Sequence, residues 1–109
     1  IASYDKAIEF KPDDHEAWLY RGAILQELGR YDDAIVSYDL VLKIELENSF
    51  ALYGKANCYS LQNNVALAID CLQQAIALDP ELREGAKSDV DFDTIRGNDL
   101  FQALLAAPP

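Results

Sequence analysis

Basic residues are scarce in this chain. Its 109 residues include 9 Lys and Arg against 19 Asp and Glu, a formal net charge of −10. Nucleic-acid binders gain affinity by neutralising phosphates with Lys and Arg, so this balance argues against that class. It argues equally against docking on anionic lipid. No apolar run approaches the ~20 residues needed to span a bilayer, and no basic-then-apolar leader is present. Two cysteines without metal-ligand spacing give neither a disulfide framework nor a zinc site. There are five Gly, four Pro and a single Thr, set against 15 Ala and 15 Leu. That mixture favours helix throughout. Met is absent and the chain opens at Ile1, so it is expected to be a piece of a longer cytoplasmic protein.

What is present is a period. Sliding the sequence by 34 places matches Ile1 with Ile35 and Ile69, Tyr4 with Tyr38, Ala7 with Val41 and Ala75, and Ile8 with Leu42 and Ile76. The same offset superposes Pro12 on Pro80, Ala17 on Ala51 and Ala34 on Ala68. Each period is helical twice over. Ala17, Trp18, Gly22, Leu25 and Leu28 form one apolar stripe at three- and four-residue spacing, and Ala34, Ile35, Tyr38, Val41 and Leu42 form another. Gly29 separates them, taking positive φ at no steric cost. The next unit repeats this with Leu52, Ala56 and Tyr59, a turn at Asn63-Asn64, then Ala68, Ile69, Leu72, Ala75 and Ile76. Asn tolerates the left-handed conformation next best after Gly, which accounts for that substitution.

The spacing of Trp18, Gly22, Leu25, Gly29, Tyr31, Ala34, Tyr38 and Val41 resembles the tetratricopeptide repeat, a helix-turn-helix unit of 34 residues. The resemblance covers residues 1 to about 82. It implies an all-α fold, a right-handed superhelix of antiparallel helix pairs. Gly22 against Ala34, and Ala56 against Ala68, supply the small residues at the crossings. The expected division is the second helix of a partial repeat over 1–14, repeats over 15–48 and 49–82, and a C-terminal cap over 83–109. Pro12 and Pro80 match the family's unit-to-unit turn. Leu46 holds the middle junction instead, which permits the helix there to run towards Glu47. Arg21 and Lys55 stand where the family has apolar residues; their stems are expected to pack with their heads at solvent or a neighbouring acid.

The tail after Pro80 resembles the closing segment of bacterial arrays of this family: a truncated helix, a short turn carrying Phe92 and Ile95, and a last amphipathic helix. Phe92, Ile95, Phe101, Leu104 and Leu105 are expected to fold over the open end of the second repeat. Asn98 or Asp99 caps the last helix, and Pro108-Pro109 follows its end. At the other end, the stripe of Ile1, Tyr4, Ala7 and Ile8 lacks the first helix of its unit, so self-association through residues 1–11 is a second reading.

Chemistry is hard to find. Asp89, Asp91 and Asp93 alternate like the start of a calcium loop, but the positions needing Gly and a bidentate Glu hold Thr94 and Leu100. His15, the sole histidine, sits at a helix start. Cys58 and Cys71 read as small buried side chains without an adjacent base to activate them. No phosphate loop, metal-ligand set or cofactor motif is present, so neither an enzyme nor a cofactor is expected.

A surface remains. The resemblance implies an inner groove lined by the first helix of each unit. Its candidate residues are Glu16, Leu19, Tyr20, Ala23, Gln26 and Glu27, then Phe50, Tyr53, Asn57, Ser60 and Leu61, then Glu84, Lys87 and Ser88. In co-chaperone members of the family a basic clamp grips a peptide's terminal carboxylate; Leu19, Ala23, Gly54 and Glu84 stand at the matching positions, so that clamp is absent. The acids Glu16, Glu27 and Glu84 favour a neutral or basic segment. The reading is a non-catalytic scaffold binding a protein or peptide. The alternatives are a homo-oligomerisation module and a regulatory appendage of a larger enzyme.

Overall fold

The computed structural model of the chain describes residues 14–106. The expectations that concern the partial repeat before Asp14, its Pro12, the self-association through residues 1–11, and Pro108-Pro109 fall outside the described residues. Among the described residues, six α-helices and one 3-10 helix follow one another: α1 His15–Glu27, α2 Tyr31–Ile44, α3 Ser49–Leu61, α4 Val65–Leu78, α5 Leu82–Ser88, the 3-10 helix Val90–Ile95, and α6 Asp99–Ala106. Helix α1 packs on α2, α2 on α3, and α3 on α4, the consecutive packing of a helical solenoid. No helix among the described residues is long and apolar enough to cross a membrane.

Positions one period apart do the same work. Asp14 caps α1, its Oδ1 accepting from the Glu16 and Ala17 amides at 3.1 and 3.4 Å. Asn48, thirty-four residues on, caps α3 by accepting from the Ala51 amide at 3.0 Å. Each such cap satisfies an orphan amide of the first turn and is worth ~1 kcal/mol. Gly29 and Asn63 are the equivalent turn residues, with φ of 77° and 59°. Ala17 and Ala51, Ala34 and Ala68, Tyr38 and Leu72, and Val41 and Ala75 are buried in pairs.

The junction at Leu46 differs from the sequence expectation. Helix α2 does not run towards Glu47 but ends at Ile44, the counterpart of Leu78 at the end of α4. The residue after each, Glu45 or Asp79, turns extended at φ −137° or −139°. At Glu45 the chain leaves the helix so that Asn48 can cap the next one; proline is not needed for this.

One ring fixes the distance between units. Tyr38 of α2, 3% exposed, lies between Gly22 of α1 and Gly54 of α3. A Cβ on Gly22 would stand 2.8 Å from Tyr38 Cε1, and one on Gly54 would press closer still on Tyr38 Cζ. The glycines therefore provide the slot for the ring. The Tyr38 hydroxyl donates to Gln26 Oε1 at 2.8 Å, so the buried polar end is satisfied.

The two charged departures resolve differently. The Arg21 guanidinium donates to Ser37 Oγ at 2.8 Å and lies 5.8 Å from the Trp18 ring centroid. Lys55 Nζ meets Asp39 Oδ1 at 2.7 Å across the α2–α3 interface. Burial pulls the Lys55 pKa down, but the hydrogen bond and charge of Asp39 outweigh it and leave the pKa raised.

The tail closes the end. Phe92, Ile95, Phe101 and Leu105 are buried in one cluster with Ala56, Ala68, Leu72 and Ile76. Leu104 packs partly buried against it. The Phe92 ring meets that of Phe101 at 5.5 Å. Asn98 caps α6, accepting from the Leu100 and Phe101 amides at 2.9 and 3.2 Å.

These contacts give opposite expectations for two glycines. Gly54→Ala forces a Cβ into a buried ring with no room to move and lowers stability by about 1–3 kcal/mol. Gly85→Ala, in a helix with nothing within 4 Å of the new atom, raises it by about 0.5–1 kcal/mol. Urea unfolding followed by circular dichroism reads both.

Candidate functional surface

Helices α1 and α3, the first helices of their units, touch each other, and the expected inner face lies along them. On it, the stripe Tyr53, Asn57 and Ser60 of α3 is not open to solvent but lies beneath the tail. The Tyr53 hydroxyl donates to Asp89 Oδ2 at 2.7 Å, and Asn57 Nδ2 donates to the same oxygen at 3.2 Å. Ser60 Oγ donates to the carbonyl of Asp91 at 2.7 Å. Gln26 Nε2 of α1 donates to Asp91 Oδ2 at 3.3 Å. The Phe92 ring meets Tyr53 edge-on, with centroids 5.7 Å apart. Asn57 is 5% exposed and Ser60 wholly buried. The 3-10 helix thus lies along α3 with its backbone and carboxylates bound by a row of amide and hydroxyl donors.

The three alternating acids are engaged within this tail. Asp89 Oδ1 accepts from the Asp91 amide at 3.0 Å while its other oxygen takes Tyr53 and Asn57. Asp93 accepts from Arg96 at 2.9 Å. Arg96 also donates to the carbonyls of Lys87 and Asp89 at 2.6 and 2.7 Å, tying α5 to the 3-10 helix. Burial raises the Asp91 pKa, and the Asp89 and Asp93 charges add to that against the opposing Gln26 hydrogen bond. The Tyr53 hydroxyl is pushed well above the usual phenol range, by burial first and then by Asp89.

The rest of the candidate residues divide between two open clefts and α5. The first cleft, about 320 Å³, gathers Glu16, Leu19 and Tyr20 with Phe50, and adds His15, Glu45, Glu47, Asn48 and Ser49. Tyr20 and Phe50 are 54% and 64% exposed there. His15 Nε2 approaches Glu45 Oε2 at 2.9 Å. The second, about 420 Å³, gathers Ala23, Gln26, Glu27 and Leu61 with Tyr31 and Asp91. Glu84, Lys87 and Ser88 lie exposed on α5 and line neither cleft; Lys87 Nζ meets Glu84 at 2.8 Å. Lys87 instead borders a separate hollow with Arg96 and Phe101. Tyr31, Asp91, Glu45 and Glu47 line these clefts without having been expected there from the sequence. Tyr31 had a visible signal as an aromatic opening a helix beside a turn, and Asp91 as part of an alternating run of acids.

Burial is the largest influence on both thiols. Burial, then Asp91, pushes Cys58 up to about 12. Cys71 is raised by burial despite the opposing Lys55 charge. Both side chains are buried.

Known sequences resemble the chain at the level of the repeat. A sequence model described as tetratricopeptide repeat matches residues 49–82, and a second with the same description matches residues 3–36. Superkiller complex protein 3 of Mus musculus is 36% identical over 83 residues, covering 70% of this chain and 5% of that protein. A probable UDP-N-acetylglucosamine–peptide N-acetylglucosaminyltransferase, SPINDLY, of Arabidopsis thaliana is 39% identical over 57 residues, covering 52% of the chain and 6% of its own length. The DnaJ homolog subfamily C member 7 of Mus musculus is 29% identical over 77 residues, covering 71% of the chain and 16% of its own. The chain therefore spans less than about a fifth of each of these relatives.

Two outcomes are expected of these groups. In the native protein both cysteines resist an aromatic disulfide reagent near neutral pH, because the thiolate is the reactive form; they react in denaturant, and rapid native labelling would contradict their placement. Asp91 has a folded pKa above its unfolded value, so the folded state holds its proton more tightly. Stability is therefore lost as pH rises through the window just above the ordinary carboxylate range. Asp91→Asn, which keeps an acceptor for Gln26, flattens that part of the curve in thermal unfolding at stepped pH.

Proposed function

The chain belongs to the tetratricopeptide repeat family, and on that premise we propose that it is a non-catalytic scaffold holding a peptide or partner surface along its inner face. Such repeats are protein-interaction modules. Support for the inner face as the working surface comes from the tail itself. Residues Asp89 to Phe92 lie on α3 as a segment bound through one backbone carbonyl, two carboxylates and an aromatic ring. Donors and apolar surface placed in this way suit an irregular segment, whose unpaired backbone groups need partners. We read the division of the chain as a partial repeat over 1–14, repeats over 15–48 and 49–82, and a cap over 83–109. In that reading the tail closes the second repeat and leaves α1 and the start of α3 for a partner.

The surface left open is apolar at Phe50, Tyr20 and Leu19 and acidic at its rim. Aromatic rings offer large contact area at little rotamer cost. A second reading, a repeat segment appended to a larger protein with an activity elsewhere, draws on the small share of each relative that the chain covers.

A pair of exposed residues tests the face. Phe50 is 64% exposed on the inner side, and Leu46, 82% exposed, borders an outer cleft with Val36 and Leu40. With a partner recovered from cells and identified, Phe50→Ala is expected to weaken binding several-fold, on the scale of ~1 kcal/mol for a peripheral aromatic contact, and Leu46→Ala to leave it unchanged. Loss with Leu46→Ala and none with Phe50→Ala would put the working surface on the outer side.

A further inference from the structure

The two open clefts differ in place but share a chemistry. Both lie along α1, the first at residues 15–20 and the second at 23–27. Three carboxylates border the first, those of Glu16, Glu45 and Glu47, beside the exposed Phe50 ring. Two border the second, those of Glu27 and Asp91, beside Tyr31. Among the described residues, no Lys or Arg lines either cleft. The basic side chains with described contacts are held elsewhere: Arg21 by Ser37, Arg30 by Asp33, Lys55 by Asp39, Arg83 by the Leu104 carbonyl, Lys87 by Glu84 and Arg96 by Asp93. A carboxylate rim beside an aromatic face is a setting in which a guanidinium or ammonium gains from both the charge and the ring.

The spacing adds a length. The lining positions of the two clefts on α1 lie about eight residues apart on average, or roughly 12 Å at the helical rise of ~1.5 Å. An extended chain covers that in about four residues at ~3.3 Å each. Where the second cleft begins the helix presents Ala23, exposed and too small to obstruct a backbone. The donor row on α3 is already taken by the tail, so a segment must follow α1.

We propose that the inner face takes an extended segment carrying two basic side chains about four residues apart, one seated at Glu16, Glu47 and Phe50 and the other at Glu27 and Asp91. This rests on the inner-face reading and gives it a partner chemistry. The burial that raises the Asp91 pKa is an unfavourable setting for its charge; a cation arriving there relieves it. Charge complementarity of this kind sets orientation and partner choice more than raw affinity.

The test uses the whole 109-residue chain, isotope-labelled for amide NMR, and short blocked peptides of serine and alanine carrying two arginines. The spaced peptide is expected to shift the amides of Tyr20, Ala23, Glu27 and Phe50. A peptide with adjacent arginines is expected to bind about fivefold more weakly, and one with glutamine for arginine more weakly still. Binding of the spaced peptide should fall with added salt. Glu16→Gln with Glu47→Gln should weaken it several-fold with circular dichroism unchanged, since both side chains are exposed. Equal binding of the glutamine peptide at these amides would overturn the paired-cation proposal and leave the inner-face reading standing. Shifts confined to Val36, Leu40 and Leu46 would overturn both. Absence of any shift at millimolar peptide would overturn the proposal alone, the inner-face reading being decided by the Phe50 and Leu46 variants.

Discussion

The packing of one tyrosine ring between two glycines holds the rest in place. Tyr38 belongs to α2, yet the slot it fills is made by Gly22 of α1 and Gly54 of α3. It thus joins the two helices of one unit to the first helix of the next. Its ring sets how far apart the units stand, and its hydroxyl holds Gln26, whose amide in turn reaches Asp91 of the tail. A continuous path of packing and hydrogen bonds runs from the first helix pair to the closing segment. Interiors packed at crystal-like density transmit such constraints because little free volume absorbs a shift.

Most of the fold was legible because a 34-residue offset leaves repeated marks. The caps at Asp14 and Asn48 and the turns at Gly29 and Asn63 are local chemistry, decided within a few residues. The middle junction was harder. A missing proline at Leu46 suggested a longer helix, but the end of α2 is set by the extended Glu45 and the cap that follows. Gly54 carried no signal of its own either. Its reason is a ring 16 residues upstream, and only the packed structure brings the two together.

The candidate surface was legible on α1 and much less so on α3. The resemblance to the family places Glu16, Tyr20, Ala23 and Glu27 on the groove side of α1, and the structure leaves them exposed. The same reasoning placed Asn57 and Ser60 facing inward, where the structure finds them buried under the tail. Their partners lie 32 and 31 residues away in sequence, and no periodicity reports contacts of that range. The alternating acids were visible as a pattern without an evident purpose. Their role as hydrogen-bond acceptors depends on a short 3-10 helix that only tertiary packing positions.

That placement has a consequence for how such a chain can change over generations. Tyr53, Asn57 and Ser60 answer to Asp89 and Asp91 of their own molecule, so drift on one side demands an answering substitution on the other. Among the described hydrogen bonds, Gln26 alone joins α1 to the tail. Novelty in what is recognised can accumulate on α1 one replacement at a time, while the half of the inner face under the tail alters only through matched pairs.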